Sequence, residues 1–192
     1  ASAFGGVSEN LNGFGIPAGC CSDGPSGMRL DCGTKAFSLP NGTMIASSFN
    51  KELTSELFTF MGLEMAANKV DCLLGPGMNI HRHPLNGRNF EYFSEDPFLT
   101  GKMAAAELKG MAGAGVTGTI KHFCANNRET NRHFIDSVVS ERALREIYLK
   151  GFEIAVKEGG ASSVMTTYGI VNGLWTAGNF DLNTVILREE WG

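Results

Sequence analysis

The polar side chains of this chain that could do chemistry gather just after short apolar runs. Asp23-Gly24-Pro25 closes a run over residues 16–22, and residues 79–96 follow a run over 70–74. Lys121-His122 ends a run over 116–122, and Tyr168 follows one over 163–167. These places supply a carboxylate (Asp23), a guanidinium (Arg88), an ammonium (Lys121), an imidazole (His122) and a phenol (Tyr168). A carboxylate accepts two hydroxyl protons at once, while Lys and Arg donate in return. Ligands rich in hydroxyls need both, so the set reads as a polyol-binding cup. Basic neighbours would also keep the carboxylates ionised.

Elements of regular spacing must carry these groups. Residues 51–68 are predicted helical, with Leu53, Leu57, Phe60 and Met61 on one stripe. A second helix runs from Pro97 to about Ala112, with Ser94 or Asp96 as its cap and Pro97 at its first position. A third starts at the cap Ser140, places Leu144, Ile147, Tyr148, Phe152 and Ala155 on one face, and ends at Gly159-Gly160. A last helix begins near Asp181. The runs over 16–22, 70–74, 116–122 and 163–167 are predicted strands, with an irregular stretch over 78–96. Strand and helix alternating through short turns mean a parallel sheet with covering helices. No Gly-rich phosphate-binding motif follows the first strand, which disfavours a nucleotide-binding sheet. A whole (β/α)8 barrel takes about 250 residues. The expected fold is therefore α/β, a partial (β/α)8 TIM-like barrel, with residues 1–192 as one domain.

The composition is that of a globular chain, 43% hydrophobic and 19% charged over 192 residues. A formal net charge of −4 supplies no electropositive excess for nucleic acid or an anionic membrane. No apolar run approaches the about 20 residues of a membrane helix. The five cysteines show no metal-ligand spacing and read as free thiols, which favours a reducing, cytoplasmic setting. His81-x-His83 lacks a third ligand nearby, so no metal or cofactor is expected. The ends, Ala1-Ser2-Ala3-Phe4-Gly5-Gly6 and Glu189-Glu190-Trp191-Gly192, both read as abrupt.

Four segments carry a resemblance. Ser22-Asp23-Gly24-Pro25-Ser26-Gly27-Met28-Arg29 comes first, then the run from Gly87 to Pro97, GRNFEYFSEDP. Lys121 to Glu129, KHFCANNRE, follows with Arg132, and last comes Val164-Met165-Thr166-Thr167-Tyr168 with Asn172-Gly173. In order and spacing they resemble family 3 glycoside hydrolases of the β-glucosidase type, nearly end to end.

The resemblance implies a retaining, exo-acting β-glucosidase that removes terminal nonreducing β-D-glucosyl residues from a β-glucoside or oligosaccharide. Asp23 would accept from sugar hydroxyls, and Arg88, Lys121 and His122 would grip the others. Tyr168 would line the pocket beside the anomeric carbon, Met165 would form a wall, and Glu91 would orient Arg88. Retention requires two carboxyl groups about 5–5.5 Å apart, and neither is assigned within this chain. The resemblance puts the nucleophilic aspartate in an Asp-Trp motif just after Gly192. It puts the acid/base on a separate sandwich-like domain, so the remaining strands and that domain would come from the rest of the polypeptide or from a complementing chain.

Lys121 and His122 are adjacent, and neighbours on a regular strand face opposite ways. The resemblance therefore implies a non-proline cis peptide between residues 121 and 125. Glu129 and Arg132 read as an ion pair bracing the loop after the third strand. Rival readings are a β-xylosidase and a non-catalytic sugar-binding barrel. A β-N-acetylhexosaminidase is disfavoured, because its KHFPGHG pattern is replaced by Lys121-His122-Phe123-Cys124-Ala125-Asn126-Asn127.

Overall fold

The computed structural model describes residues 13–16, 18–30 and 33–192. Pro17 of the predicted first strand, Cys32 and the segment from Ala1 to Gly6 lie outside the described residues. Four parallel strands form the main sheet in the order β1 (Cys21–Asp23), β2 (Cys72–Leu74), β3 (Thr117–Phe123) and β5 (Ser163–Thr166). Register partners include Cys21 with Cys72, Leu73 with Gly118, and Lys121 with Met165. After a short α1 (Gly42–Ser47), the covering helices are α2 (Lys51–Ala67), α3 (Pro97–Gly113), and α4 (Glu141–Ala143) running through a wide turn into α5 (Lys150–Lys157). Helix α2 packs on α3, and α3 on α5. Helices stacked in strand order lie on one side of the sheet, as in a barrel. A doubly wound sheet would divide them between both faces.

Outward side chains of the strands, such as Leu73 and Ile120, are fully buried with Phe58, Met65, Met103, Met111 and Phe152. The opposite face is polar and small. Cys72 Sγ lies 3.0 Å from Thr119 Oγ1, which lies 2.8 Å from Ser163 Oγ. Alternation along each strand sets Asp23, Lys121 and Met165 one layer further toward the C-terminal ends.

Three predicted details change. The first strand pairs only over Cys21–Asp23, because its ladder needs β2, and β2 begins to pair at Cys72. On α2 the buried stripe is Thr54, Phe58, Met61, Gly62 and Met65, while Leu53 and Phe60 are exposed. Apolar side chains lie on more than one face of that helix, so contact with α3 rather than periodicity chooses the stripe. The helix after Ser140 widens over Leu144–Tyr148, where Leu149 N donates to Leu144 O at 2.8 Å. The extra residue in that turn rotates Ile147 outward and brings Leu149 into the core.

The remaining boundaries follow local chemistry. Asp96 caps α3, its Oδ1 accepting from Phe98 N at 2.7 Å and Leu99 N at 3.2 Å, with Pro97 next. Gly160, at φ +69°, follows the end of α5. A second small sheet, not predicted, joins β4 (Asp136–Ser137), β6 (Ile170–Val171) and β7 (Leu174–Trp175). It is built from the segments that leave the C-terminal ends of β3 and β5. The last helix, α6 (Asp181–Glu190), also has wide turns, with Trp191 N donating to Ile186 O at 3.2 Å.

Close contact between α2 and α3 depends on Gly110, where a Cβ would meet Ser55 O at 2.3 Å and Phe58 Cβ at 3.0 Å. Gly110→Ala is expected to lower stability by about 1–3 kcal/mol in urea unfolding. Gly113→Ala, with nothing within 4 Å of the added Cβ, should leave stability unchanged or raise it by up to about 1 kcal/mol.

Candidate active site

The C-terminal ends of β1 and β3 and the loop after β2 meet around a cavity of about 580 Å³. Its lining includes Asp23, Arg29, Arg88, Glu91, Lys121, Glu129 and Arg132. Volumes of this order are usual for small-molecule sites.

Lys121 is the centre. Its side chain is 3% exposed, with Nζ 3.0 Å from Asp23 Oδ1 and 3.7 Å from Glu91 Oε2. An ammonium so far from water needs such partners, since an unpaired buried charge is strongly disfavoured. Glu91, equally buried, also takes the Nε–H of Arg88. Burial works to raise the Asp23 pKa, but the Lys121 ammonium, with help from the Gly24 amide and Arg29, outweighs it. The carboxyl is held below its ordinary value of 3.8. For Arg88, burial opposes the charge and Glu91 more than restores it.

The turn after β1 brings a further cation. Arg29 N donates to Asp23 O at 2.7 Å, and Arg29 Nη1 lies 3.6 Å from Asp23 Oδ2. Only glycine fits at two points of that turn. A Cβ on Gly24 would sit 1.8 Å from Gly27 O, and one on Gly27 would sit 2.3 Å from Phe37 O, both at positive φ.

The second cluster lies behind the cavity. The Lys121–His122 and Phe123–Cys124 peptides are both cis, within the stretch where the sequence led one to expect such a bond. The register with β5 shifts between Lys121 and Phe123. Asn79 holds the His122 backbone from both sides, accepting from its N–H at 2.9 Å and donating to its carbonyl at 3.0 Å. His122 Nδ1 lies 3.2 Å from Tyr92 Oη, and Asn126 Nδ2 donates to that oxygen at 3.1 Å. Asn126 Nδ2 also donates to Glu129 Oε1 at 2.8 Å, and Arg132 Nη1 to Glu129 Oε2 at 2.9 Å. Arg132 Cζ sits 5.1 Å from the centre of the Tyr168 ring.

Of the seven residues singled out in the sequence, Asp23, Arg88, Glu91 and Lys121 line the cavity. His122 is buried beside them, Met165 is the register partner of Lys121, and Tyr168 is 57% exposed beyond Arg132. The reading missed Arg29 and Arg132 as cavity residues, although both stand inside the quoted motifs. It also missed Tyr92, Asn79 and Asn126, whose roles rest on long-range contacts. The Glu129–Arg132 ion pair is present as expected. Among the described residues no group of three or more His, Cys, Asp or Glu is placed to hold a metal. His81 Nε2 meets Asn89 O at 2.9 Å, and His83 Nδ1 accepts from Leu85 N at 3.1 Å. No helix among the described residues is long and apolar enough to cross a membrane.

Cations and carboxylates thus face one cavity at the C-terminal ends of parallel strands, the face on which barrel enzymes carry their sites. The chain belongs to the glycosyl hydrolase family 3 N terminal domain, whose family model matches residues 7–192. It is 81% identical over 192 residues to a β-glucosidase of Ruminococcus albus, covering all of this chain and 20% of that protein. A crystallised β-glucosidase from Paenibacillus barengoltzii is 61% identical and superposes with a TM-score of 0.95, over 98% of this chain and 20% of that one. β-Glucosidase 3B from Thermotoga neapolitana, solved with α-D-glucose, is 47% identical with a TM-score of 0.94, over 100% of this chain and 28% of that one. The chain thus spans between a fifth and a third of the length of these relatives, and its fold is a partial (β/α)8 barrel.

Burial, followed by the charges of Arg88, Lys121 and Arg132, pushes the His122 pKa down from 6.5 to about 2. The folded imidazole stays neutral where the unfolded one takes up a proton, so the unfolded state binds more protons below about pH 6.5. Stability should therefore fall with a one-proton slope as the pH drops below 6.5, a slope that His122→Asn removes. Imidazole-nitrogen NMR should find His122 uncharged at pH 4.5; a titration near pH 6.5 would contradict the assignment.

Proposed function

We propose that this chain builds the sugar-gripping part of the active site of a retaining, exo-acting β-glucosidase. The observation that carries the reading is Lys121, buried and fixed between Asp23 and Glu91 at the floor of a cavity ringed by Arg29, Arg88 and Arg132. Hydroxyls of a terminal β-D-glucosyl ring would donate to Asp23 and accept from Lys121 and Arg88. His122 would offer Nε2, which has no hydrogen-bond partner among the described residues, while Tyr92 occupies Nδ1. Met165 would form a wall and Tyr168 the rim near the anomeric carbon. Glu91 acts through Arg88 and Lys121 as a positioning residue.

Glu91, Glu129 and Asp23 are each held by cations or amides in the ways described. The resemblance to family 3 implies that the nucleophilic aspartate and the acid/base belong to polypeptide beyond these 192 residues, the first in an Asp-Trp motif after Gly192 and the second on a sandwich-like domain. The relatives' length and their β-glucosidase names support this division. The expected substrates are β-glucosides and gluco-oligosaccharides.

The purified chain should bind glucose weakly and release no aglycone from an aryl β-glucoside. Asp23→Asn and Lys121→Met should each weaken glucose binding by about tenfold or more, since hydrogen bonds to charged groups are worth about 1.5–3 kcal/mol. Turnover by the pure chain would overturn the division of roles. Unchanged glucose binding in both variants would overturn the grip.

A further inference from the structure

The inner face of the main sheet carries two cysteines side by side, one layer below Asp23 and Lys121. Cys21 and Cys72 are register partners on the parallel neighbours β1 and β2. Adjacent strands lie about 4.7–4.9 Å apart in the hydrogen-bonding direction, and a disulfide spans Cα separations of about 4.4–6.8 Å. Partners in register also send their side chains to the same face of the sheet. Both geometric conditions for a bridge are therefore met without moving the backbone far.

The side chains confirm what the register implies. Cys72 Sγ lies 3.0 Å from Thr119 Oγ1, within the inward row that continues to Ser163. Burial raises the Cys21 thiol above its ordinary value of 9.0, and the neighbouring Cys72 thiol raises it further, with Asp71 adding less. Both cysteines are free and partly exposed. The other described thiols are placed differently. Cys20 Sγ turns back to Cys21 O at 3.9 Å, and Cys124 is fully buried, its thiol pushed up to about 12 by that burial.

We propose that Cys21 and Cys72 form a reversible oxidation site, a dithiol that closes to a disulfide and ties β1 to β2. Strand β1 is the edge of the four, pairs only through Cys21–Asp23, and carries Asp23 of the cavity floor. The bond would close a loop that contains α1 and α2 and so restrict the unfolded chain. The co-reactant is a small-molecule disulfide. One protein thiolate attacks one of its sulfurs, forming a mixed disulfide and releasing a small thiolate. The second protein thiolate attacks the protein-side sulfur of that intermediate, forming the Cys21–Cys72 bond and releasing the other small thiolate. The protein gives up two electrons and two protons, and the small disulfide takes both and leaves as two thiols. Because the thiolate is the nucleophile, the raised Cys21 thiol makes the reaction faster in mildly alkaline than in neutral buffer.

The intact chain is incubated with oxidised glutathione under native conditions, its remaining thiols are alkylated, and the digest is mapped by mass spectrometry with fragmentation that separates Cys20 from Cys21. A Cys21–Cys72 crosslink that dithiothreitol reverses is expected. The oxidised chain should unfold about 5–10 °C above the reduced one, a rise that Cys72→Ser abolishes and Cys20→Ser retains. Mapping needs no variant, so poor folding of Cys72→Ser leaves the test standing. Glutathione left attached at Cys21 or Cys72, a link from either to Cys20, Cys32 or Cys124, or no reaction would overturn the site. A Cys21–Cys72 crosslink that leaves the unfolding temperature unchanged would overturn the tie between the strands.

Discussion

A buried ammonium must be answered by carboxylates, and that constraint organises this molecule. Lys121 sits on β3, an inner strand of the sheet, with 3% of its side chain exposed. Asp23 comes from 98 residues earlier and Glu91 from the loop after the second strand. Removing one partner from such a buried arrangement typically costs about 3–5 kcal/mol. The demand fixes the ends of β1 and β3 and the Arg88–Glu91 turn relative to one another. Three distant pieces of chain are thereby held as one charged floor before any ligand arrives.

The layers around that floor follow from it. Outward residues of the same strands meet the helices and carry the core, while inward residues below the floor are small hydroxyls and thiols. Behind the floor, Tyr92, Asn79 and Asn126 brace His122 and hand the network on to Glu129 and Arg132. The imidazole is thereby held beside the cavity as a buried, neutral group whose Nδ1 is engaged by Tyr92. Positive charge at the cavity comes from Arg29, Arg88, Lys121 and Arg132, and the neutral histidine adds none.

Much of this was legible in the sequence, because strand ends at the active face cannot hide polar residues in a core. Asp23, Arg88, Lys121 and the cap at Asp96 are each marked by local pattern. The misreadings share a cause. On α2, Leu53 and Phe60 are as apolar as the buried Phe58 and Met61, so periodicity could not choose the face that meets α3. Ile147 was displaced by one extra residue in a wide helical turn, which composition does not announce. The contacts of Tyr92 with His122 and with Asn126 join residues 30 and 34 apart, and no spacing rule reaches that far. Arg29 and Arg132 lay inside recognised motifs, but their approach to the cavity depends on the Gly24–Gly27 turn and on the loop after β3.

The central claim is that the cavity floor is a preassembled grip for one pyranose ring. A crystal structure of the chain soaked with glucose tests it most directly. The account predicts ring hydroxyls within hydrogen-bonding distance of Asp23, Arg88 and Lys121, with the Lys121–Asp23 contact still near 3.0 Å. A sugar bound elsewhere, or one that enters only after Lys121 has left Asp23, would contradict it.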